Sequence, residues 1–171
     1  MEISSSRSPE CTPNNLNEVI DTAGILGIDK VACGYGPDNF ETIDAIKQTA
    51  DEVNAMQQKL ASAGIALFQH NHEWEFNRID GKLAYEHYLK LCPSLKIELD
   101  TYWSANYEQE NPAEMLSIFK NRAILLHIKD GLFEKERTMT AVGSGKMNFN
   151  ETLKEMNYYI TQWLVVELDN C

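Results

Sequence analysis

Ionisable side chains recur near the C-terminal ends of short apolar runs in this 171-residue chain. His70 and His72 fall in ALFQHNH (66–72), and Asp100 closes LKIELD (95–100). His127 lies in AILLHIK (123–129) and Glu167 in WLVVELD (163–169). Side chains alternate faces along a strand. Alternation puts His70 and His72 on the face of Ala66 and Phe68, and sets Lys96, Glu98 and Asp100 opposite Leu95, Ile97 and Leu99. His127 and Lys129 oppose Ile124, Leu126 and Ile128, while Glu167 and Asp169 oppose Leu164, Val166 and Leu168. Sites of parallel α/β proteins gather at the C-terminal ends of strands. Taken singly, Asp100 reads as a loop cap and His127 as a satisfied core histidine. Glu167, between valine and leucine, is too costly to bury unpaired. As a set, Asp, His, Glu and His, one per strand, make a metal shell or an acid/base cluster. Carboxylate and imidazole together suit a divalent ion, Mn, Co, Mg, Zn or Fe. Such an ion polarises a carbonyl, and a carboxylate beside it can move a proton from the adjacent carbon.

Strands alternating with helices must hold these groups. Thr12-Pro13 predicts a helix start, with the helix running to Leu26 and stopping at Gly27. KVACGY (30–35) reads as a strand. Residues 42–63 read as a helix with Ile43, Ile46, Ala50, Val53, Met56 and Leu60 on one stripe. Asp80-Gly81 predicts a small hairpin, followed by a short helix to Leu91. Asn111-Pro112, with Glu114, starts another helix, and Asn150 is expected to cap one reaching Ile160. The four runs above and 30–35 give five strands. Strands alternating with helices imply βα units and a parallel sheet. The expected fold class is α/β, a partial TIM barrel of five βα units, with residues 1–12 a polar, loose tail and 13–171 one domain.

The formal net charge of -11 disfavours nucleic acid and anionic membrane surfaces as partners. No apolar run is long enough for a membrane span, and the Ser-rich start has no signal-peptide core. Cys11, Cys33, Cys92 and Cys171 form no C-x-x-C pair and read as reduced thiols, which suits the cytoplasm. Gly143-Ser144-Gly145-Lys146 lacks P-loop spacing.

HNHEWEF, IELDTYW, LLHIKDG, AVGSG and WLVVELD, in this order from about Asn15 onward, resemble the sugar phosphate isomerase/epimerase group of the xylose-isomerase-like TIM barrels. The resemblance implies a divalent metal held by an acidic or imidazole group, then Asp100, His127 and Glu167. The first ligand would be His70 or His72, with Glu75 close by; alternation favours the histidines. Glu167 then looks like a metal-bound catalytic base, and Glu75, Lys129 and His72 like substrate or proton-transfer partners. Ser144 stands where the family's glycine loop carries an acid. A complete barrel has eight strands, so the chain is expected to be a truncated member, lacking the first two βα units and the last.

The function so implied is isomerisation or epimerisation of a sugar or sugar phosphate. A lyase or dehydratase on a keto-sugar would use the same metal and base. The charge argues against the endonuclease IV type, which shares the fold. A non-catalytic barrel fragment is the reading from another class, and a homo-oligomer is left open. Trp103, with Tyr102, is either packing at the barrel mouth or a sugar-stacking platform.

Overall fold

In a computed structural model, which describes residues 3–8, 11–135 and 139–169, strands and helices alternate as the sequence predicts. Six sheet strands are described, side by side in two runs: β1 (Ser6–Arg7), β2 (Lys30–Cys33) and β3 (Ala66–His70), and β6 (Lys96–Asp100), β7 (Ala123–Ile128) and β8 (Trp163–Val166). Pairing is parallel between β1 and β2, β2 and β3, β6 and β7, and β7 and β8. The architecture is a partial TIM barrel with six strands rather than the expected five. The added strand, β1, lies inside the segment read as a loose tail; it pairs Ser6 with Val31 and Arg7 with Ala32. The described chain packs as two compact units.

The first unit takes in the chain to His70 and Arg78–Lys96. Helix α1 (Leu16–Leu26) starts three residues later than the Thr12-Pro13 signal. Asn15 turns its side-chain carbonyl back onto the Thr12 backbone N–H, so 12–15 is a turn and not a first helical turn. Gly27 ends the helix in the left-handed region, at φ 66°. Helix α2 (Ile43–Ser62) is capped by Thr42, whose hydroxyl accepts from Ala45 N at 3.1 Å. Its stripe of Ile46, Ala50, Val53, Met56 and Leu60 is buried. A two-stranded hairpin, β4 (Arg78–Ile79) and β5 (Lys82–Leu83), turns at Asp80-Gly81 as expected. Helix α3 (Ala84–Leu91) follows and seats Tyr88 edge-on against Phe40, centroids 5.4 Å apart.

The second unit takes in Asn71–Asn77 and the chain from Ile97. Helix α4 (Pro112–Phe119) has proline in its first turn, and Asn111 accepts from Ala113 N at 2.8 Å. The helix expected from Asn150 to Ile160 is replaced. Asn148 is the cap, accepting from Glu151 N; α5 (Phe149–Thr152) is one turn, followed by a 3-10 turn at Leu153–Glu155. Tyr102 stacks on Phe133 at 4.8 Å beside Met139 and Met147. Among the described residues no helix is long and apolar enough to cross a membrane.

Candidate metal centre

Strand alternation and register build this site in the second unit. Glu98 and Asp100 are two apart in β6 and share a face. Asp100 is the register partner of His127 in β7, which in turn pairs with Val165 in β8. Partners opposite each other in parallel strands point the same way, so the imidazole falls beside both carboxylates. His127 Nε2 is 3.0 Å from Glu98 Oε1, and its Nδ1 is 3.6 Å from Asp100 Oδ2 and 2.9 Å from Glu167 Oε2. Two residues on, Lys129 Nζ donates to Asp169 Oδ1 at 2.6 Å and forms ion pairs with Asp100 Oδ2 at 3.0 Å and Glu167 Oε2 at 2.8 Å. The Trp103 indole N–H donates to Asp169 Oδ2 at 2.8 Å.

Burial raises the stakes of these contacts. The Lys129 and Asp100 side chains are 0% exposed, whereas Glu167 is 35% exposed. Burial alone would push the His127 pKa down, but hydrogen bonds and charge from Asp100 and Glu98 outweigh it and lift it to about 9. Lys129 likewise resists the pull of burial and is raised, through Asp100, Asp169 and Glu167. Asp169 is held below its ordinary range because the Lys129 ammonium outweighs its partial burial.

Asp100 is positioned from behind. Its Oδ1 accepts from the backbone N–H of Tyr102 at 3.0 Å and of Trp103 at 2.9 Å. Its own N–H donates to Asn71 Oδ1 at 2.9 Å, and its carbonyl accepts from Asn71 Nδ2 at 3.3 Å. The strand before Asn71 ends at His70, so His72 lies beyond the strand and the alternation drawn through 72 stops two residues short. His72 N–H donates to the buried Glu75 carboxylate at 2.9 Å, and the His72 ring stacks on Trp74 at 4.3 Å. His70, in the first unit, is fully buried.

Of the sequence-selected residues, Asp100, His127, Lys129 and Glu167 come together, and His72 and Glu75 bond to each other. Three contributors carried no assigned role in the sequence. Glu98 and Asp169 were on the correct faces by alternation, but nothing local marked them as partners. Asp130 is the third: buried, it accepts from the backbone N–H groups of Gly131, Gly143, Gly145 and Met147 at 2.8–3.1 Å. It therefore organises the glycine loop from outside, and a Cβ at Gly145 would run into its carboxylate and the Gly131 backbone. Trp103 meets Tyr102 and Tyr107 edge-on, so its ring is packed as well as hydrogen-bonded.

The fold so described is that of the xylose-isomerase-like TIM barrels. The chain is similar to a sugar phosphate isomerase/epimerase from Parabacteroides distasonis ATCC 8503, with 29% identity and a TM-score of 0.78 over 100% of this chain and 64% of that one. It shares the fold of an IOLI protein with a bound zinc atom, at 15% identity and a TM-score of 0.70, covering 98% of this chain and 67% of that one. A probable 3-DHS dehydratase, AsbF, from Bacillus anthracis has the same fold at 12% identity and a TM-score of 0.75, covering 97% and 70%. The chain thus spans a little under two thirds of the length of the Parabacteroides protein. No family model matches the sequence, and no curated protein matches it. Within the second unit, Asp100 and His127 are buried residues of metal-ligating type, and the Glu167 carboxylate touches His127.

Proposed function

We propose that this chain supplies the metal centre of a sugar or sugar phosphate isomerase or epimerase that works by proton transfer next to a carbonyl. The observation that carries the reading is the meeting of Asp100, His127, Lys129 and Glu167 at adjoining strand ends. The donor set fits a divalent ion, whose ordinary ligands are carboxylate oxygens and imidazole nitrogens. The charges fit too: the carboxylates of Glu98, Asp100, Glu167 and Asp169 surround one ammonium and one imidazole, leaving negative charge in surplus.

His70, Asp100, His127 and Glu167 are assigned as ligands. His70 is preferred to His72 and Glu75 because it closes a strand and is fully buried, whereas the other two lie beyond the strand and bond each other. When bound, the ion would polarise a substrate carbonyl. Glu167, partly open to solvent, takes the proton from the neighbouring carbon and returns it. Lys129 grips the same carboxylate at 2.8 Å and fixes its direction. Glu75 and His72, already bonded to each other, are substrate or proton-transfer partners. A cytoplasmic setting belongs to this proposal; Cys11, Cys33 and Cys92 are buried free thiols.

Elemental analysis of gel-filtered protein tests the reading: about one divalent ion per chain is expected, lost in an Asp100→Ala, His127→Ala variant, since ligand removal abolishes a site of this kind. Metal-dependent deuterium exchange next to the carbonyl of screened ketoses should then disappear in Glu167→Gln. Wild-type protein that binds no metal would sink the proposal. Exchange accompanied by loss of water from the substrate would favour the lyase or dehydratase reading. One observation favours a non-catalytic barrel piece that works only in association: Trp163, Leu164 and Val166 of β8 are exposed.

A further inference from the structure

We propose that Glu98 is the positioning residue of this centre: it accepts a hydrogen bond from His127 Nε2–H and thereby leaves Nδ1 as the atom offered to a divalent ion. The inference rests on the metal reading above and adds to it a residue and a tautomer.

The geometry runs through the i, i+2 pair of β6. Glu98 and Asp100 share a face, and His127 is in register with Asp100 on the neighbouring strand. The ring lies across both carboxylates. Its Nε2 meets Glu98 Oε1 at 3.0 Å, while its Nδ1 meets Glu167 Oε2 at 2.9 Å and Asp100 Oδ2 at 3.6 Å. A neutral imidazole carries one N–H and one lone pair. With the proton on Nε2, the Glu98 carboxylate, on a side chain 5% exposed, is bonded. With the proton on Nδ1, the Nε2 lone pair faces the buried Glu98 carboxylate at 3.0 Å; with it on Nε2, the Nδ1 lone pair faces Glu167 Oε2 at 2.9 Å, on a side chain 35% exposed that water can screen or that can turn away, so the second repulsion costs less. The first arrangement therefore prevails, and Nδ1 points at the two carboxylates assigned as ligands. A carboxylate behind a metal-binding imidazole fixes ring orientation and raises ligand basicity. Asp100 follows the same logic, since backbone N–H groups of Tyr102 and Trp103 hold Oδ1 and Oδ2 faces the ring. Glu98 touches the far side of the imidazole, so it acts through His127 and not on an ion.

Two measurements on the 171-residue chain test this. The first is zinc affinity by chelator competition for wild type, Glu98→Ala and Glu98→Gln. The alanine variant should bind zinc roughly 10–100-fold more weakly, as loss of such a supporting group does. The glutamine variant should recover most of the affinity, because its amide oxygen accepts the same bond in the same shape. The second is the nitrogen-15 spectrum of the imidazoles in zinc-loaded protein, with His127→Gln identifying the His127 signals. Metal on Nδ1 and a proton on Nε2 are expected. Metal on Nε2, or an alanine variant that binds zinc as tightly as wild type, would overturn the inference while leaving the metal reading intact. Wild type that binds no zinc would fell the metal reading instead. In that case the nitrogen-15 spectrum of the neutral ring in the metal-free protein decides the tautomer, and a proton on Nδ1 there overturns the assignment.

Discussion

β7 and β8 run side by side, and each ends by delivering two charged groups two residues apart: His127 and Lys129 from one, Glu167 and Asp169 from the other. Their surroundings differ. All six residues of β7 are buried, and Lys129 beyond it is 0% exposed. In β8, Trp163, Leu164 and Val166 are exposed, and Glu167 beyond it keeps 35% of its side-chain surface. The same alternating pattern thus yields two kinds of charge. On β7 the charge is locked into the packing and must be matched to stay there. On β8 it faces the same cluster but remains open to what arrives from solvent.

The sharpest test of that contrast removes the ammonium and keeps its stem. Lys129→Met leaves the Asp100, Glu167 and Asp169 carboxylates without their shared cation. Breaking a buried ion pair on one side costs about 3–5 kcal/mol, and chelator-treated protein should lose stability on that scale in urea denaturation. Glu167→Gln, on the open strand, should cost about 1 kcal/mol or less, as half-exposed pairs do, while removing proton exchange. Equal losses from the two variants would erase the distinction between the strands.

A second test uses pH. His127 has its pKa lifted to about 9 in the folded chain, because hydrogen bonds and charge from Asp100 and Glu98 outweigh the opposing effect of burial. A raised folded-state pKa means the protonated ring stabilises the fold. That contribution is fully present below pH 6.5, shrinks as pH rises towards 9, and is gone above it. Chelator-treated wild type should lose on the order of 3 kcal/mol across that window, because each tenfold change in proton affinity between the folded and unfolded chain is worth about 1.4 kcal/mol. His127→Gln should lose much less. Metal affinity should move the other way, rising through the same window, because the ring must shed its proton to bind an ion. Parallel pH curves for wild type and variant would show that His127 is not coupled to the carboxylates.

Much of this arrangement was legible in the sequence because it depends on local rules. Thr42, Asn111 and Gly27 mark helix ends by their own chemistry. Alternation put Asp100, His127, Lys129 and Glu167 on the faces that the structure brings together. What escaped depends on partners far away in the chain. β1 is two polar residues, Ser6 and Arg7, without an apolar run; it is a strand only because β2 is there to pair with it. The Asp130 carboxylate is defined by backbone N–H groups up to 17 residues later. The bond from His127 to Glu98 requires the register between two strands, which no single strand reveals. Asn148 and Asn150 are equally good caps in isolation; the cap that formed is Asn148, bonded to Glu151 N.

The smallest expected effect probes the open strand itself. Val166 is 68% exposed, at the sheet edge where β8 has β7 on one side. A lysine there removes little buried area, and surface substitutions usually change stability by about 0.5 kcal/mol or less. Charged residues on an edge strand also discourage pairing with another chain. Val166→Lys should therefore leave the urea midpoint nearly unchanged and reduce any concentration-dependent association seen by sedimentation velocity. Leu164→Lys, 47% exposed on the same face, should behave alike. If either variant lost several kcal/mol, and lost more at high protein concentration, then β8 would be covered in solution by a second copy of the chain. Glu167 would then be as confined as Lys129, and the contrast between the two strands would belong to the isolated chain alone.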